Sequence, residues 1–84
     1  MSKKQKLLEK LLQKPKDLRF SDLETILIYC GYELDRYNGS HAVFIKDGYP
    51  MLTIPRKDPV KSYLITQVLA AIEDIIEEKN EMEI

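Results

Sequence analysis

One cysteine, one histidine and no apolar run of membrane length are the first facts of this sequence, and each removes a class of function. A lone Cys30 excludes an internal disulfide, and with His41 as the only imidazole no thiolate and imidazole set remains of the kind that holds zinc. Cys30 falls among apolar residues at an expected helix end, where a buried structural thiol is the usual outcome, and such a chain suits a reducing cytoplasm. The longest apolar stretch, Leu64 to Ile72, is broken by Thr66 and Gln67, whereas a membrane span needs roughly 20 apolar residues. Glu9 and Lys10 follow Leu7 and Leu8 too closely for a secretion signal. A cytoplasmic protein without a membrane partner is expected.

What is present is the balance of a globular protein, with 44% hydrophobic and 32% charged residues in 84. That length supports one hydrophobic core, so residues 1–84 read as a single domain. Within it, 1–18 form an N-terminal helical extension, 19–79 the core region and 80–84 an acidic tail expected to fray. The net charge of −1 hides an asymmetry. Residues 1–72 carry 12 basic and 8 acidic side chains, whereas residues 73–84 carry Lys79 against Glu73, Asp74, Glu77, Glu78, Glu81 and Glu83. A mildly basic body, able to meet a polyanion, is masked in the total by an acidic end.

Leu7, Leu8, Leu11 and Leu12 recur at helical spacing between Lys3 and Lys14, and Pro15 ends that helix. Ser21 and Glu24 form an S-x-x-E capping box, from which a second helix runs through Leu23, Ile26, Leu27 and Cys30 to a stop at Gly31. With Ser21 as the cap, Phe20 and Thr25 occupy the staple positions and no hydrophobic staple forms. Tyr32 to Tyr37 alternates apolar or aromatic with charged residues, Asn38-Gly39 signals a tight turn, and His41 to Lys46 is the returning strand. Asp47-Gly48 repeats the turn signal before a third strand from Tyr49 to Ile54, in which Pro50 is tolerable only at the start or on an edge. Pro55 to Pro59 is an irregular connector. Val60 then opens a long helix whose stripe is Val60, Leu64, Val68, Leu69, Ile72, Ile75 and Ile76. This order predicts an α+β fold, a three-stranded antiparallel meander with helices on one face and the other face free.

The turn and strand at Gly39, Ser40 and His41 resemble the HicA family of toxin–antitoxin systems. So do the helix ending at Cys30, Gly31 and Tyr32, the run from Tyr32 to the apolar strand closing on Phe44, and the passage from Leu52 through Pro55 to the basic connector of Arg56 and Lys57. The resemblance covers roughly Ser21 to Ile76, and the first helix stands outside it. It implies a double-stranded-RNA-binding-domain-like fold, α-β-β-β-α, that cleaves messenger RNA without metal or other cofactor and is neutralised by a HicB-like antitoxin covering the active surface. On that resemblance His41 is catalytic, and Gly39 and Ser40 form the turn that presents it.

Cleaving RNA without metal requires a base for the ribose 2′-hydroxyl, an acid for the leaving oxygen and cations for the phosphorane. An imidazole suits either proton transfer, since its unperturbed pKa of about 6.5 lies near working pH. The sequence leaves water, Tyr37 and a nearby lysine open as the second partner. Arg36 and Lys46 around the turn, with Arg56, Lys57 and Lys61 in the connector and last helix, are the candidate contacts to the phosphates of single-stranded RNA. Tyr37 and Tyr49 are candidates for stacking on bases. Asp35, Asp47 and Asp58 read as turn-capping acids rather than a metal set. Strand alternation puts His41 with Val43 and Ile45, opposite Ala42, Phe44 and Lys46. If Val43 and Ile45 enter the core, the regular strand must start after His41 for the imidazole to face solvent. Two other classes fit the same residues: a non-catalytic RNA-binding module and a protein-interaction domain.

Overall fold

A computed structural model of the chain describes residues 3–82, with side chains to Lys79. The elements are α1 (Lys3–Leu12), α2 (Phe20–Tyr29), β1 (Glu33–Asn38), β2 (His41–Ile45), β3 (Leu52–Pro55), α3 (Ser62–Ala71) and α4 (Glu73–Met82). The fold is α+β. Its three strands form an antiparallel meander in the order β1-β2-β3, with β2 in the centre. The expected fraying at residues 80–84 falls on side chains outside the described residues.

Helix α1 buries Leu8 and Leu11 fully, with Leu7 packed beside them and Leu12 left largely exposed. The buried polar residue on its inner face is Gln5, whose Oε1 accepts a hydrogen bond of 3.2 Å from the Tyr29 hydroxyl of α2. The basic helix outside the family resemblance is therefore part of the same core as the rest of the chain.

Helix α2 starts two residues earlier than its capping box predicts. Arg19 is the N-cap and makes no side-chain cap bond, so Ser21 lies inside the first turn, where its carbonyl accepts from the Thr25 hydroxyl at 3.0 Å. The cap comes from the far side of the fold: Phe20 N–H donates to Asp58 Oδ1 at 2.7 Å. The earlier start also moves the staple positions onto Leu18 and Leu23, both fully buried in the core cluster. The helix ends as its glycine predicts. Gly31 takes φ 97°, its N–H reaches Ile28 O at 3.0 Å, and Tyr32 N–H reaches Leu27 O at 2.9 Å, the paired bonds of a Schellman ending.

The two faces of the sheet are unlike. Ala42, Phe44, Leu52 and Ile54 belong to the core cluster, with Leu34 packed against it, whereas His41 and Ile45 are exposed. His41 thus sits within the regular strand, paired with Asn38 on one side and Pro55 on the other, and the expectation that the strand begins after it is corrected. The core takes the alternate residues, and Val43, although 2% exposed, belongs to the open face between Arg36 and Thr53 and lies outside the core cluster. Strand β3 begins at Leu52 rather than Tyr49. Lys46 to Tyr49 instead form a turn closed by Tyr49 N–H to Lys46 O at 3.0 Å, with Gly48 at φ 81°.

The last helix is two helices. Val60, expected to open it, precedes it as a buried connector residue whose N–H donates to Leu18 O at 2.8 Å, and α3 begins at Ser62. Ile65 joins the expected stripe as a fully buried residue. The chain breaks at Ile72, φ −111° and ψ 15°, with neither glycine nor proline there. Ile72, Ile75 and Ile76 all remain buried across the break, so it serves tertiary packing rather than a local stop signal. Beyond it, Asp74 accepts a 2.7 Å hydrogen bond from the Tyr49 hydroxyl, and Lys79 Nζ lies 4.1 Å from the centre of the Tyr29 ring.

Candidate active site

The hairpin between β1 and β2 is closed by two residues, Gly39 and Ser40, so the turn centre lies one position beyond the Asn38-Gly39 signal. Gly39 has φ 63°, and Ser40 is not among the residues with positive φ, which is the signature of a type II′ turn. A side chain at Gly39 would meet no atom within 4 Å, so the requirement for glycine is conformational. The turn delivers His41 as the first residue of the central strand, exposed on the face that no helix covers.

A β-bulge completes that face. The register of β1 against β2 slips between Leu34 and Arg36, leaving Asp35 as the extra residue. Plain alternation would group Arg36 with Leu34 toward the helices, but the bulge pairs Arg36 with Val43 and Asn38 with His41, so both share the open face with the imidazole. The same slip pairs Tyr37 with Ala42, on the helix side of the sheet. Asp35 also accepts a hydrogen bond from Arg36 Nη1, which leaves Arg36 partly neutralised.

The connector is fastened to this end of the sheet. Arg56 N–H donates to Ser40 O at 2.8 Å, and its guanidinium lies 4.1 Å from the centre of the Tyr37 ring, a cation–π contact. With the bonds from Phe20 to Asp58 and from Val60 to Leu18, the loop carrying Arg56, Lys57 and Lys61 is held at three separate points. Arg36, Arg56, Lys57 and Lys61 are all exposed near the hairpin end.

Two expected site residues lie elsewhere. Lys46 follows the last residue of β2, roughly 17 Å along the strand from His41, and does not flank the Gly39-Ser40 turn. It stands over the Tyr49 ring at 5.2 Å from its centre and beside Gly31. Tyr49 packs edge-on to Tyr32, with ring centroids 6.2 Å apart, and donates its hydroxyl proton to Asp74. That hydrogen bond is the chief reason the Tyr49 phenol is pushed above its ordinary pKa. Burial does the same for Tyr32, and it pushes the Cys30 thiol up to about 11. Glu73, Glu77 and Glu78 accompany Asp74 on α4, and Asp74 reaches Tyr49 beyond the end of β2 opposite the imidazole.

Sequence reading missed Asp35 as a bulge residue and Asp58 as a distant helix cap. Neither role has a local signal, since one depends on strand register and the other on a contact 38 residues away. Among the described residues no three His, Cys, Asp or Glu side chains are grouped so as to hold a metal ion, and no helix is long and apolar enough to cross a membrane.

Fold and site together define a small α+β protein that presents one histidine on an uncovered sheet face, with Arg36 on the same face and a basic connector fastened to that end of the sheet. The family model of the HicA toxin of bacterial toxin–antitoxin systems matches residues 20–73, more than half of the chain, and the chain belongs to that family. It is thus a toxin of such a system, with an antitoxin partner implied. No curated protein and no solved structure matches it.

Proposed function

We propose that the protein is an endoribonuclease toxin that cleaves messenger RNA in the cytoplasm, with His41 as general acid or base and no metal, and that a HicB-like antitoxin neutralises it by covering the open sheet face. The observation that carries this reading is the exposed His41 in a regular central strand, fixed by the Gly39-Ser40 turn, on the same face as Arg36 and beside a fastened loop bearing Arg56, Lys57 and Lys61. The cations hold phosphates, while the imidazole moves one proton between the ribose 2′-oxygen or the leaving 5′-oxygen and solvent. Attack of the 2′-oxygen on phosphorus forms that bond as the bond to the 5′-oxygen breaks. Tyr37, on the helix side of the sheet, is poorly placed as the second proton carrier, and we assign that proton to water. The exposed Ile45 and half-buried Pro55 add apolar surface to the same face, which suits a protein inhibitor.

Incubation of purified protein with single-stranded RNA in chelator tests the assignment. Cleavage yielding 5′-hydroxyl ends is expected, with a loss of about 10²- to 10⁴-fold in His41→Ala. Undiminished cleavage by that variant overturns the role of His41. Salt-sensitive RNA binding without cleavage, unchanged in His41→Ala, identifies a non-catalytic RNA-binding module instead.

A further inference from the structure

Next to His41 is a cleft of about 220 Å³, lined by Pro55, Lys57, Pro59, Val60, Lys61, Tyr63 and Leu64. Pro55, one wall of the cleft, is the cross-strand partner of His41, so that wall stands about 5 Å, one strand spacing, from the histidine backbone. Two of its side chains are the exposed lysines Lys57 and Lys61, and a third, Tyr63, is 62% exposed, more than any other large apolar or aromatic residue among the described residues. An aromatic ring left this open on the first turn of a helix gains little from folding. Beside two cations and a candidate nuclease centre it offers a flat surface for a ring.

The other aromatic candidates are engaged. The face of Tyr37 is taken by the Arg56 guanidinium, and Tyr49 lies at the opposite end of the sheet, bonded to Asp74. We infer that this cleft binds one unpaired nucleotide of the RNA adjoining the scissile phosphate, its base stacked on Tyr63 and its phosphate held by Lys57 and Lys61. The inference rests on the ribonuclease reading and deepens it, because a base stacked on a side chain must first leave a helix. The substrate is therefore single-stranded at that position, although the fold resembles a duplex-binding one.

Binding is measured in a His41→Ala background, with chelator, so that a labelled ten-nucleotide single-stranded RNA stays intact. Adding Tyr63→Ala is expected to weaken binding by about 5- to 150-fold, while Tyr63→Phe binds normally. Adding Lys61→Ala is expected to reduce the slope of log affinity against log salt by about 0.7, as loss of one phosphate contact does for a single strand. The sequence contains no tryptophan, so Tyr63→Trp places a unique fluorophore in the cleft, and its emission falls as a base stacks on it. Equal binding by Tyr63→Ala, or no quenching of Tyr63→Trp, overturns the subsite even if the wild type cleaves RNA. Tyr63-dependent binding by a wild type that cleaves nothing leaves the subsite standing and removes the enzyme. No RNA binding at 50 mM salt removes both.

Discussion

Asp58→Ala is the substitution that separates local from tertiary control of this fold. The Asp58 carboxylate accepts Phe20 N–H at 2.7 Å and supplies the α2 cap that Arg19 does not. Replacing a capping side chain by alanine costs about 1 kcal/mol, within a range of about 0.5–2. The bond is exposed, and interaction of the negative charge with the helix N-terminus is part of that figure rather than an addition to it. For a domain of this size 1 kcal/mol corresponds to roughly 4–8 °C in Tm. Thermal melts followed by circular dichroism are therefore expected to show Asp58→Ala lower by about that amount and Asp58→Asn, which keeps an acceptor, lower by less. Ser21→Ala is the contrasting arm. Its side chain lies exposed inside the first turn, so its loss is expected to shift Tm by under about 4 °C, a surface effect of up to about 0.5 kcal/mol. The reverse result, a stable Asp58→Ala and a destabilised Ser21→Ala, refutes the distant cap and restores the capping box at Ser21.

Two further outcomes follow from burial. Phe44→Ala removes a fully buried ring from the central strand, packed 6.4 Å from Phe20, and is expected to cost about 3–5 kcal/mol, a Tm loss of about 12 °C or more. Ile45→Ala, on the open face, is expected to change stability by under about 1 kcal/mol, and the opposite ranking in a denaturant titration would reverse the assignment of the faces. Cys30, with its thiol raised from 9.0 to about 11 by burial, is expected to react slowly with a disulfide reagent at pH 8 and promptly once urea unfolds the chain. Because the folded-state value is the higher one, the neutral thiol favours the fold below pH 9.0, and that contribution is lost as pH rises through about 11. A melt series across that window is expected to show falling Tm, with the fall reduced in Cys30→Ala.

Charge distribution bears on how a protein of net charge −1 can meet RNA. The imidazole and the cations of the connector gather at one end of the sheet, whereas α4 lies toward the other, where Asp74 holds Tyr49. At physiological salt the Debye length is about 8 Å, shorter than the roughly 14 Å length of β2. The acidic helix is thus largely screened from the site, and the sequence total understates how basic that surface is.

The amino-acid sequence by itself determined the element types, the meander, the helix stop at Gly31 and the family resemblance. These depend on short-range chemistry: helical spacing, alternation, glycine where φ is positive, and a motif read in order. Tertiary structure alone decided which alternate set of β2 enters the core, because period-two alternation describes two faces without saying which one the helices cover. It decided that Asp35 bulges and so turns Arg36 toward His41, that Asp58 rather than Ser21 caps α2, and that the last helix breaks at Ile72. It also decided that Lys46 and Tyr49, close to the motif in sequence, lie a strand length from the histidine, while Tyr63, 22 positions on, lines the cleft beside it. Register, long-range caps and the ends to which strands deliver their residues depend on contacts between distant segments, and a sequence records distance only along the chain.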